Sequence, residues 1–66
     1  MYRYYVNKNA QPNGDHEVHR DGCNWMPSSR IDLGLFSGCQ GAVREAKKHY
    51  AQSNGCVHCS NDCHTG

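Results

Sequence analysis

Two pairs of soft side chains stand at spacings that one metal ion can bridge. His19 and Cys23 have three residues between them, and Cys56 and Cys59 have two. A Cys-x-x-Cys in a tight turn places its sulfurs about one tetrahedral edge apart, because the backbone curls around the ion. Gly55, just before this pair, is expected to permit the curl. His19 falls at the end of a candidate strand, and Cys23 follows an Asp21-Gly22 turn. The four side chains make a Cys3His set, which is a donor set of structural Zn2+ sites. A closed centre of this kind has no open position for activating water, so the expected role is not that of an enzyme. Cys39, Cys63 and His64 compete with His19 for the fourth place. His58 lies inside the Cys56–Cys59 knuckle and is expected to face solvent, while His16 and Glu17 have no assigned partner.

Such a centre answers a need set by size. The chain has 66 residues, and Leu, Ile, Val, Phe and Trp together number nine. So few apolar side chains hardly offset backbone ordering entropy of roughly 1–2 kcal/mol per residue. A metal or disulfides should supply the difference. The formal net charge is +1, which is unlike the strongly basic footprint of a non-specific nucleic-acid binder. No apolar run is long enough for a transmembrane helix. The start, Met1 to Asn7, lacks a secretory signal pattern, so the expected compartment is the cytoplasm. Thiols stay reduced there, and five is an odd number of cysteines. The cysteines therefore read as metal ligands or redox groups, not as structural bridges.

The elements that must position these groups are α+β: a small antiparallel hairpin or three-stranded sheet with one helix. Tyr2 to Val6 is aromatic and β-branched, with Tyr2, Tyr4 and Val6 on one face. Asn7 to Gly14 carries turn residues, and Asp15 to Arg20 forms the returning strand. On that strand Glu17 and His19 share one face, and His16 and Val18 the other. Ile31, Leu33 and Leu35 alternate as a short third strand. Ser37 and Gln40 make a capping box, and Cys39, Ala42, Val43, Ala46 and Tyr50 share one helical face. The helix is expected from about Gly38 to Tyr50, with Asn54-Gly55 as its stop. Cys39 on that face reads as a small buried hydrophobe. The whole is one domain over residues 1–66, ordered from about residue 2 to residue 60.

Tyr4 to Val6, the His19 to Cys23 pair, Phe36-Ser37 with Ala42 and Ala46, and Gly55 to Cys59 together resemble the small zinc domain of the Ada DNA-repair protein and its relatives. The resemblance covers about residues 4 to 59. It implies a zinc held by His19, Cys23, Cys56 and Cys59. In that family the first residue of the upstream pair is a cysteine that accepts a methyl group from alkylated phosphate. Here it is His19, so the repair activity does not follow. The family pattern ends at Cys59 and leaves Cys63 and His64 without a role.

The expected function is that of a zinc-stabilised interaction module, monomeric and not membrane-bound, whose working surface lies away from the metal. Trp25, Met26 and Arg30 in one loop, and Arg44, Lys47 and Lys48 on the helix, are the candidate contacts. Low net charge favours a protein partner, with a nucleic acid as the alternative. A different class of function is thiol redox or metal handling, with Cys56 and Cys59 cycling and Cys63 as resolving thiol.

Overall fold

A computed structural model describes residues 1–65. Four strands form one sheet: β1 (Tyr2–Asn7), β2 (His16–Arg20), β3 (Arg30–Phe36) and β4 (Ser53–Gly55), in the order β3-β1-β2-β4. One helix, α1 (Cys39–Ala46), lies between β3 and β4 in the chain, and a single 3-10 turn, Asn61–Cys63, follows β4. The fold is α+β, as the sequence predicts. Among the described residues no helix is long and apolar enough to cross a membrane.

The hairpin forms where the aromatic and β-branched pattern places it. Tyr4 pairs with Arg20, Tyr5 with His19 and Val6 with Val18, antiparallel. The central face buries Tyr4, Val6 and Val18, and α1 lays Cys39, Ala42 and Ala46 on them. Leu33 completes this small core from β3.

β3 departs from simple alternation. Tyr4 pairs with Gly34 but Tyr5 pairs with Asp32, so Leu33 is an extra residue in the ladder. Gly34 has φ +101°, a conformation other side chains rarely adopt, and its N–H donates to Asp32 Oδ1 at 2.9 Å. A bulge of this kind shifts the period-two pattern by one residue. Leu35, which alternates with Ile31 and Leu33 in the sequence, is therefore exposed, and Phe36 packs against the core instead.

The helix is shorter than its apolar periodicity suggests. It starts at Cys39 behind Gly38, and no side chain caps it, so the Ser37/Gln40 capping box does not form. It ends at Ala46, where Lys48 N–H turns to Glu45 and His49 N–H to Ala46, tightening the last turn. Tyr50 then stacks flat on His16, at 3.7 Å and 4°. Asn54-Gly55 is not the helix stop. It belongs to β4, which pairs parallel to β2 through His16–Ser53, Glu17–Asn54 and Val18–Gly55. The sheet is thus mixed and one strand wider than predicted, because burial against β2 decides the state of this short polar stretch.

Candidate metal centre

β2 ends in a tight turn: Cys23 N–H donates to Arg20 O, which brings Cys23 back beneath the strand. β4 runs parallel to β2, and the pairing continues one residue past it, with Cys56 N–H donating to Val18 O at 2.9 Å. The knuckle then closes, with Ser60 N–H on Cys56 O at 2.8 Å. These two turns face each other at the same end of β2. His19, Cys23, Cys56 and Cys59 offer one ligand atom each, all within 4.8 Å of one another.

Gly55 serves this arrangement differently from the expected curl. It lies in β4, outside the left-handed region, and a methyl on it would meet Ser60 O at 2.6 Å. Glycine is needed there for close approach, not for a special dihedral.

His19 is 1% exposed although it lies on the face opposite Val18. Its Nδ1 lies 3.5 Å from Cys23 Sγ and 3.8 Å from Cys59 Sγ. Its Nε2 points away, 3.5 Å from Glu17 Oε1, and has no closer partner. Glu17, for which the sequence offered no partner, thus lies behind the His19 ring. A carboxylate behind a ligating imidazole fixes the ring's orientation and raises its basicity. The signal was legible in principle, since residues two apart on a strand share a face.

Burial disfavours the charged forms of His19 and Cys59. It lowers the His19 pKa, against the opposing pull of Glu17. It pushes the Cys59 thiol up to about 12, helped by hydrogen bonds with Cys23 and Cys56 and opposed by the Arg20 N–H. That N–H lies 3.3 Å from Cys59 Sγ, and His58 N–H lies 3.4 Å from Cys56 Sγ. Backbone donors aimed at sulfur stabilise thiolates once a cation is present. Metal binding here must expel thiol protons.

The other candidates are elsewhere. Cys39 and Cys63 form a disulfide. The expectation that the cysteines would not bridge is corrected for these two: 24 residues of separation still meet because α1 begins beside the 3-10 turn. Cys63 is therefore neither the fourth member of the cluster nor a free resolving thiol. His64 Nδ1 lies 3.0 Å from Gly55 O, away from the group. His58 is exposed, but its ring stacks on Trp25 at 3.7 Å and 8°. Cys23, Cys56 and Cys59 are free.

Comparison with known protein families, with curated proteins and with solved structures finds no match for this chain.

Proposed function

We propose that the protein is a non-catalytic, zinc-stapled interaction module. One observation carries this reading: three free thiols and a buried imidazole converge within 4.8 Å while the other two cysteines bridge separately. A tetrahedral Zn2+ with Zn–S about 2.3 Å and Zn–N about 2.0 Å has S···N edges of about 3.5 Å, close to the spacings from His19 Nδ1. The three thiolates and His19 would hold the ion, with Glu17 behind the imidazole. Zinc would supply a closed structural centre tying β2 to the knuckle. The resemblance to the Ada-type zinc domain supports the same four ligands, and His19 in the acceptor position removes its repair chemistry.

The surface best suited to a partner is the exposed Trp25–His58 stack, with Val57 exposed beside it in the chain. The net charge of only +1 favours a protein over a nucleic acid as the partner. Arg30 is exposed but occupied within its own surface, 4.9 Å above the Tyr5 ring and donating to Pro27 O. The cytoplasm is not part of this reading, since bridges such as Cys39–Cys63 persist best in oxidising compartments.

Native mass spectrometry of protein purified without added metal tests the proposal. One zinc per chain is expected, and excess chelator should collapse the dispersed NMR spectrum of residues around His19 and Cys56. A metal-free mass, or a spectrum unchanged by chelator, refutes it.

A further inference from the structure

Two asparagines of this chain precede a glycine, Asn13 before Gly14 and Asn54 before Gly55. Such a pair can react with itself, because glycine has no Cβ to shield its nitrogen from the neighbouring carboxamide. The fold gives the two pairs opposite surroundings.

Asn13 is exposed in the turn between β1 and β2, and Gly14 has φ +92°. Asn13 Oδ1 accepts the Asp15 N–H at 2.9 Å. That oxygen takes up negative charge when Asn13 Cγ is attacked, so the Asp15 N–H stands where an oxyanion needs a donor. Gly14 N–H donates to Gln11 O at 2.8 Å, and this turn bond must open before the nitrogen can attack. A bond in an exposed loop opens at little cost.

Asn54 is 7% exposed and lies within β4. Its Oδ1 accepts the Gly55 and Thr65 N–H groups at 3.0 Å each. Its Nδ2 donates to Thr65 O at 2.8 Å and to Asp15 Oδ2 at 3.2 Å. Gly55 is paired with Val18 of β2. A ring closing Gly55 N onto Asn54 Cγ would have to open β4 first, and burial withholds the water and base that the reaction consumes.

We propose that Asn13 is a site of spontaneous covalent modification, deamidating through a cyclic imide, and that the fold shields Asn54 from the same reaction. Gly14 N gives its proton to solvent base and bonds to Asn13 Cγ. The Cγ–Nδ2 bond breaks, and Nδ2 takes up a proton and leaves as ammonia. Water then adds to one imide carbonyl and breaks that carbonyl's bond to nitrogen. Opening at Cγ gives aspartate. Opening at the Asn13 backbone carbonyl gives isoaspartate, with the chain running through Cβ and Cγ. No oxidant or reductant is needed. The new carboxylate takes the formal net charge from +1 to 0. It also replaces the Asn13 donor, 3.2 Å from Asp15 Oδ2, with a like charge. Gln52 Nε2 bonds both Asn13 O and Asp15 Oδ1, so the change falls where this turn is tied to the residue before β4.

The full-length protein, as purified, is incubated in mildly alkaline ¹⁸O-water, digested in ordinary water and read by tandem mass spectrometry. Oxygen-18 marks only the carboxylates formed during incubation. In the native protein Asn13 should be labelled at least about tenfold faster than Asn54, and within about tenfold of its own rate in urea. In urea the two sites should react within about threefold of each other, because neither is then held by structure. The proposal is overturned if the native ratio is below tenfold, or if native Asn13 falls further below its urea rate than that. It is equally overturned if the native ratio persists in urea, because flanking sequence and not the fold would then set it.

Discussion

Gly55→Ala tests how closely the knuckle is packed on β4. A methyl at this position would lie 2.6 Å from Ser60 O, 2.8 Å from Cys63 Cβ and 2.9 Å from Cys63 C. Ordinary contact begins near 3.4 Å, so the worst overlap is about 0.8 Å. Two of the three atoms are backbone, and the third belongs to a bridged cysteine, so no rotamer change relieves the clash. The segment after Cys59 must move away from β4. Overpacking of this kind costs about 1–3 kcal/mol, and a clash against backbone atoms should fall at the upper end. The alanine also restricts the unfolded chain, which offsets about 0.4–1 kcal/mol. The net expectation is about 2 kcal/mol. With a urea slope of about 1 kcal/mol/M for so small a domain, the unfolding midpoint should drop by about 2 M. Urea titration followed by tyrosine and tryptophan fluorescence reads this directly. A midpoint within about 0.5 M of the parent would show that the knuckle yields freely, and would refute the close-packing role given to Gly55.

Glu17→Gln keeps the side chain's size but removes the charge behind His19, so zinc affinity by chelator competition should fall about 10-fold or more; unchanged affinity would deny Glu17 its orienting role. Alkylation of the denatured, unreduced chain should label Cys23, Cys56 and Cys59 only, with Cys39 and Cys63 joining after reduction. The same bridge closes a 24-residue separation, so the Cys39→Ala/Cys63→Ala double variant should lose about 3.5 kcal/mol in urea unfolding, and a loss under about 1 kcal/mol would be too small for the loop-closure account. Asp15 accepts hydrogen bonds from Gln52 at 2.8 Å and from Asn54 and Asn13 at 3.2 Å, which hold its carboxyl below the usual range. Its contribution to stability is thus present above the unfolded pKa of about 3.9 and is lost as pH falls through the lower folded value. Carboxyl-carbon NMR titration should place Asp15 below an unstructured aspartate, and a value at or above that reference would contradict the bonding.

The features legible in the sequence are those that short-range periodicity or spacing can carry. The Tyr2–Val6 and Asp15–Arg20 patterns give the hairpin and its facing, because burial of one sheet face imposes alternation. The His19/Cys23 and Cys56/Cys59 spacings bring out the cluster, because each pair is local. The parts that stayed hidden depend on contacts distant in sequence. Leu35 is turned outward by a bulge that only Gly34 hints at. Ser53-Asn54-Gly55 has no strand propensity and is a strand because β2 offers it an open edge. Cys39 and Cys63 each look unpaired when read alone, and only the packing of α1 beside the 3-10 turn joins them.

The cluster and the bridge hold opposite ends of one stretch, Cys56 to Cys63, and this raises the question of whether each depends on the other. Loop entropy gives a small answer. Cys23 and Cys56 are 33 residues apart, and the Cys39–Cys63 bridge shortens the connecting path to about 23. The logarithmic cost of closing loops of those lengths differs by only about 0.3 kcal/mol. The native contacts do not add much, since the bridge is not what seats the stretch after Cys59. His64 Nδ1 lies 3.0 Å from Gly55 O, Thr65 N–H bonds Asn54 Oδ1 at 3.0 Å, and Cys63 N–H bonds Ser60 O at 2.9 Å. None of these bonds uses a Cys39 or Cys63 sulfur, so all are expected to persist when the two sulfurs are replaced. The Cys39→Ala/Cys63→Ala variant should therefore be less stable yet bind zinc within about twofold of the parent. A loss of affinity well beyond that would mean that the bridge positions the ligands, and that the two staples act as one unit.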